Sequence, residues 1–188
     1  SILHKFPIGY DFPNNTWSSF VSIFFSLLKS DNFLDYMNLQ RLFTVVVSTL
    51  TIIPMYLLCL RFFDKPYAIF GAALFVFEPR IIINSLNGTT EPVFLFFGTV
   101  LLYSFLGNSF KTSYATFGVA GLFSLARYEG LLIIAPLSIL FFIKHKNENK
   151  NVYRYLLALC IFLLVVIPMA YVRIYTQGYD GLTCHVVA

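Results

Sequence analysis

The sequence predicts an all-α integral membrane protein, a polytopic bundle of about six spanning or near-spanning helices with one further helix at the membrane interface. Three observations predict it. Hydrophobic residues make up 58% of the 188 residues and charged residues only 12%, about half the charged fraction of an ordinary soluble domain. The windows Leu42–Leu60, Pro92–Phe110 and Tyr155–Val172 carry no charge, and each approaches the roughly 20 residues that cross a bilayer core. The basic residues collect in short connectors between apolar runs, as at Lys144, Lys146 and Lys150, which is where membrane topology places them.

Taken in order, residues 1–16 are rich in Pro, Gly and Asn and read as an ordered loop. The run Thr16–Leu28 is apolar but too short to span; with Trp17 at its start and Lys29 and Asp31 after it, it suits a helix lying at the interface. A first spanning helix is expected over about Leu39–Leu60, kinked at Pro54. A second starts at Pro66 and is interrupted by Glu78-Pro79-Arg80. A third begins at Pro92.

The stretch Thr112–Ile143 is too long for one crossing. Arg127-Tyr128-Glu129-Gly130 divides it into uncharged arms of 15 and 14 residues. Each arm covers roughly 21 to 23 Å, short of the hydrocarbon thickness. Arg127 and Glu129 are therefore expected below the nominal interface, in a polar or protein-lined recess. A last helix is expected over about Tyr153–Tyr171. The domain reading is an outer loop with the interfacial helix at 1–38, the helical bundle at 39–173 and an outer polar tail at 174–188. The missing initiator Met and the abrupt end at Ala188 are expected of a piece of a longer chain.

Topology follows from connector charge. Arg61–Lys65 is +1, Lys111 adds +1 and Lys144–Arg154 is +3, whereas Glu78–Glu91 is −1. Alternate turns then face the cytoplasm, and Asp11, Arg80, Glu91, Arg127 and Glu129 fall together on the outer side. A carboxylate there can take a proton from an attacking hydroxyl. An arginine can hold a phosphate through charge-assisted hydrogen bonds without losing its own proton. Together they suit transfer of a group from a phosphate leaving group; composition does not say which group.

Four stretches in order resemble the polyprenyl-phosphate-dependent glycosyltransferases of the GT-C fold, the superfamily of protein O-mannosyltransferases and lipid A aminoarabinose transferases. They are Tyr10-Asp11-Phe12-Pro13 leading into Trp17-Ser18-Ser19-Phe20; Arg41 opening a helix; Phe77-Glu78-Pro79-Arg80 followed by Thr90-Glu91-Pro92-Val93-Phe94; and Leu125-Ala126-Arg127-Tyr128-Glu129-Gly130-Leu131. The resemblance implies a polyprenyl-phosphate sugar donor, an acceptor at the extracytoplasmic face, and a lipid-phosphate cavity lined by Arg127, oriented by Glu129. Glu91 and Arg80 would shape its rim, and Tyr10, Trp17 and Tyr128 could stack on sugar or prenyl groups. It also implies about eleven or more spanning helices, against about six here, and a catalytic carboxylate that lies upstream of Ser1. Asp11 is in the corresponding loop and is only a weak candidate for that base.

Bland readings stand beside these. Arg127 and Glu129 could be an ion pair closing a helical hairpin, Glu78 and Arg80 a helix end with snorkelling side chains, and Glu91 a helix-start carboxylate. The sequons at Asn14 and Asn87 fall on the outer face. His4, His145 and His185 have no metal-ligand spacing, Cys59, Cys160 and Cys184 carry no redox message, and no cofactor is called for. The basic residues form no aromatic-interleaved patch, which excludes nucleic acid as a partner. The expected partners are the bilayer, the sugar donor, its acceptor and the rest of the same chain. A rival class is a non-catalytic subunit of a larger membrane complex, or a transporter segment; the absence of an internal repeat weighs against the transporter.

Overall fold

The computed structural model describes residues 17, 21, 24, 25, 32–146 and 151–177. Among them every regular element is helical: α1 Phe33–Leu50, α2 Ile52–Cys59, α3 Lys65–Val76, α4 Pro79–Leu86, α5 Glu91–Phe105, α6 Phe110–Ala126, a 3-10 turn Tyr128–Ile133, α7 Ile134–Lys144 and α8 Asn151–Gln177. Residues Asp11, Tyr10, Asn14, His4, His185 and Cys184 lie outside the described residues, as does the polar tail beyond 177.

The helices begin and end where local chemistry directs. The Asn32 side chain accepts the Leu34 N–H at 3.1 Å and so caps α1. Pro occupies the first turn of α3, α4 and α5, where its missing N–H costs nothing. Ser109 and Thr112 form a reciprocal capping box on α6. Two expectations shift in detail. The break in the first crossing falls at Thr51, three residues before Pro54, because the proline cannot donate to the carbonyl one turn earlier; the Thr51 hydroxyl bonds back to Val47 O at 2.8 Å. Arg41 does not open a helix: α1 starts at Phe33, so Arg41 is exposed more than two turns inside it.

Contacts at the helix ends show the chain running back and forth. At one end the Arg61 guanidinium lies over Tyr103 at 5.1 Å, Lys144 Nζ donates to the Phe105 and Gly107 carbonyls, and Arg154 lies over Phe110 at 3.7 Å. At the other end Gln40 donates to Gly88 O at 2.7 Å, Thr44 to Ser85 O at 2.7 Å, and Arg127 meets Glu91. The chain is an integral membrane helical bundle. Two stretches are long and apolar enough to cross a membrane, Phe33–Cys59 and Asn151–Tyr171, and a third if α3 and α4, bent by 48°, form one span. Only 17% of the most apolar window of each long stretch is buried within the chain. The rest of that surface needs lipid or protein against it.

Glu78-Pro79-Arg80 interrupts the second crossing as expected, but the following residues are not a loop. They form α4, a short amphipathic helix with Ser85 buried and Ile82, Ile83 and Leu86 exposed. The turn at the bundle's end contracts to Asn87–Thr90.

The principal core packs Leu101, Phe117, Ala120, Leu137, Phe141, Ala158, Phe162 and Val166 between α5, α6, α7 and α8. A second cluster positions the candidate site. Trp17 and Val21, helical and one turn apart, are buried against Val93 at the start of α5 and Ala126 at the end of α6. Phe25, Phe43, Val47, Phe94 and Phe97 pack against it.

Candidate functional site

At the end of α6 the backbone turns to an extended conformation at Arg127 (φ −149°, ψ 139°) before entering the 3-10 turn. Gly130 permits that turn. A Cβ there would lie 2.7 Å from Phe123 O and 2.8 Å from Ser124 Cα, both backbone atoms, so the corner folds back on α6 more tightly than any side chain allows. The Gly130 N–H bonds to Arg127 O at 2.9 Å and closes it.

This corner aims Arg127 and Glu129 at each other. Arg127 Nε donates to Glu129 Oε2 at 3.2 Å and Nη2 to Oε1 at 2.8 Å, a bidentate pair. Arg127 Nη1 approaches Glu91 Oε1 at 3.5 Å, so one guanidinium faces two carboxylates. The guanidinium lies 5.7 Å from the centroid of the Phe94 ring, which stacks on Phe123 at 4.1 Å. The three charged side chains are 28% to 39% exposed. Glu91 stands in the first turn of α5, where the helix dipole favours a carboxylate. Its Oε2 is shielded from solvent and has no hydrogen-bond partner among the described residues.

The structure thus brings together Arg127, Glu129 and Glu91, with Tyr128 in the turn between the first two. Arg80 is exposed at the start of α4 and makes no ion pair with the three among the described residues. Trp17, expected among the stacking aromatics, is 6% exposed and belongs to the core beside the site. Phe94 and Phe123 were not singled out from the sequence; their place beneath the arginine depends on the packing of α5 against α6. Among the described residues no three His, Cys, Asp or Glu side chains gather as a metal site.

The sequence model of the dolichyl-phosphate-mannose-protein mannosyltransferase family matches residues 20–172. No curated protein and no solved structure matches the chain significantly.

Proposed function

Because this chain belongs to the dolichyl-phosphate-mannose-protein mannosyltransferase family, we propose that it supplies the lipid-phosphate side of a membrane glycosyltransferase. The enzyme moves a mannosyl group from a dolichyl-phosphate donor to a hydroxyl of a protein acceptor at the extracytoplasmic face. The observation that carries this reading is the Arg127 guanidinium, held by Glu129 over Phe94 at the carboxylate-bearing end of the bundle.

In the transfer the acceptor oxygen bonds to the sugar C1 as the bond from C1 to the phosphate oxygen breaks. The hydroxyl proton passes to a carboxylate, and the lipid phosphate leaves with one more negative charge. Stabilising that charge is the role proposed for Arg127, which stays protonated throughout. The 3.5 Å contact with Glu91 is long for a charge-assisted bond, and a phosphate oxygen at about 2.8 Å would displace it. Glu129 holds the other side of the guanidinium and keeps its plane fixed. Glu91 Oε2 then offers a buried acceptor to a sugar hydroxyl, and Arg80 shapes the rim. The base that takes the acceptor proton is proposed to lie outside the described residues, in the loop that contains Asp11 or upstream of it.

The experiment is transfer of labelled mannose from dolichyl-phosphate mannose to protein by the full-length parent protein in native membranes. Arg127→Ala should reduce transfer by roughly 10²-fold or more, and Arg127→Lys, which keeps the charge without the fork, should recover only part of it. Equal transfer by wild type and Arg127→Ala at matched protein levels would overturn the assignment.

A further inference from the structure

The end of the bundle opposite Arg127 gathers the described cations Arg61, Lys65, Lys111, Lys144, Lys146 and Arg154, with Asp64 as its one described carboxylate. Arg61 and Lys144 repel each other there. Lys144 is committed to the carbonyls of Phe105 and Gly107, whereas Arg61 rests on the Tyr103 ring and forms no ion pair among the described residues. Beside it the α2–α3 connector folds into an open cleft of about 450 Å³ lined by Leu60, Arg61, Phe62, Phe63, Asp64 and Tyr67. The three rings are 64%, 60% and 68% exposed. Exposed aromatics beside the Arg61 guanidinium at the basic end of a membrane bundle fit the headgroup level of a bilayer, where rings meet acyl carbons and cations meet phosphate.

We propose that this cleft binds the headgroup of an anionic membrane lipid, with its phosphodiester on Arg61 and its glycerol and first acyl carbons against Phe62, Phe63 and Tyr67. Asp64 shares the rim and opposes an anion, but Arg61, Lys65 and Lys144 outnumber it. The inference needs only that the chain resides in a membrane. It concerns the end remote from the proposed sugar-donor site, so it stands or falls separately from the glycosyltransferase reading.

The test is native mass spectrometry of the full chain in detergent micelles, titrated with dioleoylphosphatidylglycerol or dioleoylphosphatidylcholine. Wild type should retain one phosphatidylglycerol in preference to phosphatidylcholine. Arg61→Gln should weaken that adduct by about fivefold, and Tyr67→Ala should weaken it with no charge change. Lys111→Gln, which removes an exposed cation outside the cleft, should alter it by less than about twofold. Three results would each overturn the proposal: equal retention of the two lipids, equal losses in Arg61→Gln and Lys111→Gln, or displacement of the lipid by equimolar inorganic phosphate. Circular dichroism of each variant confirms that helix content is kept.

Discussion

Gly130 and Arg127 are the residues on which the corner depends, and they fail in different ways. A methyl at Gly130 meets backbone rather than a side-chain tip, so nothing can rotate aside. Gly130→Ala should lower stability by about 1 to 3 kcal/mol, read as a lower melting temperature in detergent. Arg127 and Glu129 form a well-aligned pair, but both side chains reach solvent, which screens the attraction. A double-mutant cycle on unfolding should give a coupling of about 1 kcal/mol or less. The same cycle on mannosyl transfer should give a clearly larger coupling. An ion pair that merely closes a hairpin would show the reverse order. This pair was legible in the sequence because two charges two residues apart sit in an otherwise apolar run. Glu91 was expected from the sequence on the same side, at the rim of the cavity, but its direct contact with Arg127 was not legible: it is 36 residues from Arg127, and only the antiparallel packing of α5 and α6 brings them together.

At the level of elements, what could be read followed from backbone chemistry. Pro66 and Pro92 mark helix starts because a proline lacks the N–H that a first turn leaves unused, and Glu78-Pro79-Arg80 breaks an apolar run where the structure bends by 48°. What could not be read is pairing between distant helices. The buried face of α6 carries Ser113, Thr116, Phe117, Ala120, Gly121 and Ser124, mostly small residues, and small residues let membrane helices approach closely. Gly121 sits where α8 comes nearest: a Cβ there would be 2.9 Å from Val165 Cβ and 3.3 Å from Phe162 O. At Gly118, one turn away, the nearest neighbour of such a Cβ is Ile161 at 3.4 Å, an ordinary contact. Gly118→Ala should therefore be neutral or slightly stabilising, since alanine favours the helix by up to about 1 kcal/mol. Gly121→Ala should cost about 1 to 3 kcal/mol by forcing α6 and α8 apart. Thermal unfolding of the two variants side by side reads the difference, and equal melting temperatures would mean that α6 and α8 do not pack this closely.

For the whole molecule, the segregation of charge becomes a statement about sidedness. The two ends of the bundle differ in kind: Arg61, Lys144 and Arg154 are knit into helix ends at one, and Glu91 and Glu129 surround Arg127 at the other. A short basic connector resists crossing a membrane during insertion, and on that ground we propose that the lysine-bearing end faces the cytoplasm and the carboxylates the outside. Asn87, exposed in the turn after α4, and Lys146, exposed after α7, mark the two ends without touching the candidate site. In a full-length background with Cys59, Cys160 and Cys184 replaced by Ser, Asn87→Cys should react with a membrane-impermeant maleimide on intact cells. Lys146→Cys should react only after permeabilisation. Labelling of both positions from the same side would mean that the passes do not alternate as the end contacts indicate. Reversed labelling would put Arg127 on the cytoplasmic face, and a donor phosphate presented outside could not reach it. Labelling as expected leaves Arg127, Glu129 and Glu91 on the side where an extracytoplasmic transfer must take place.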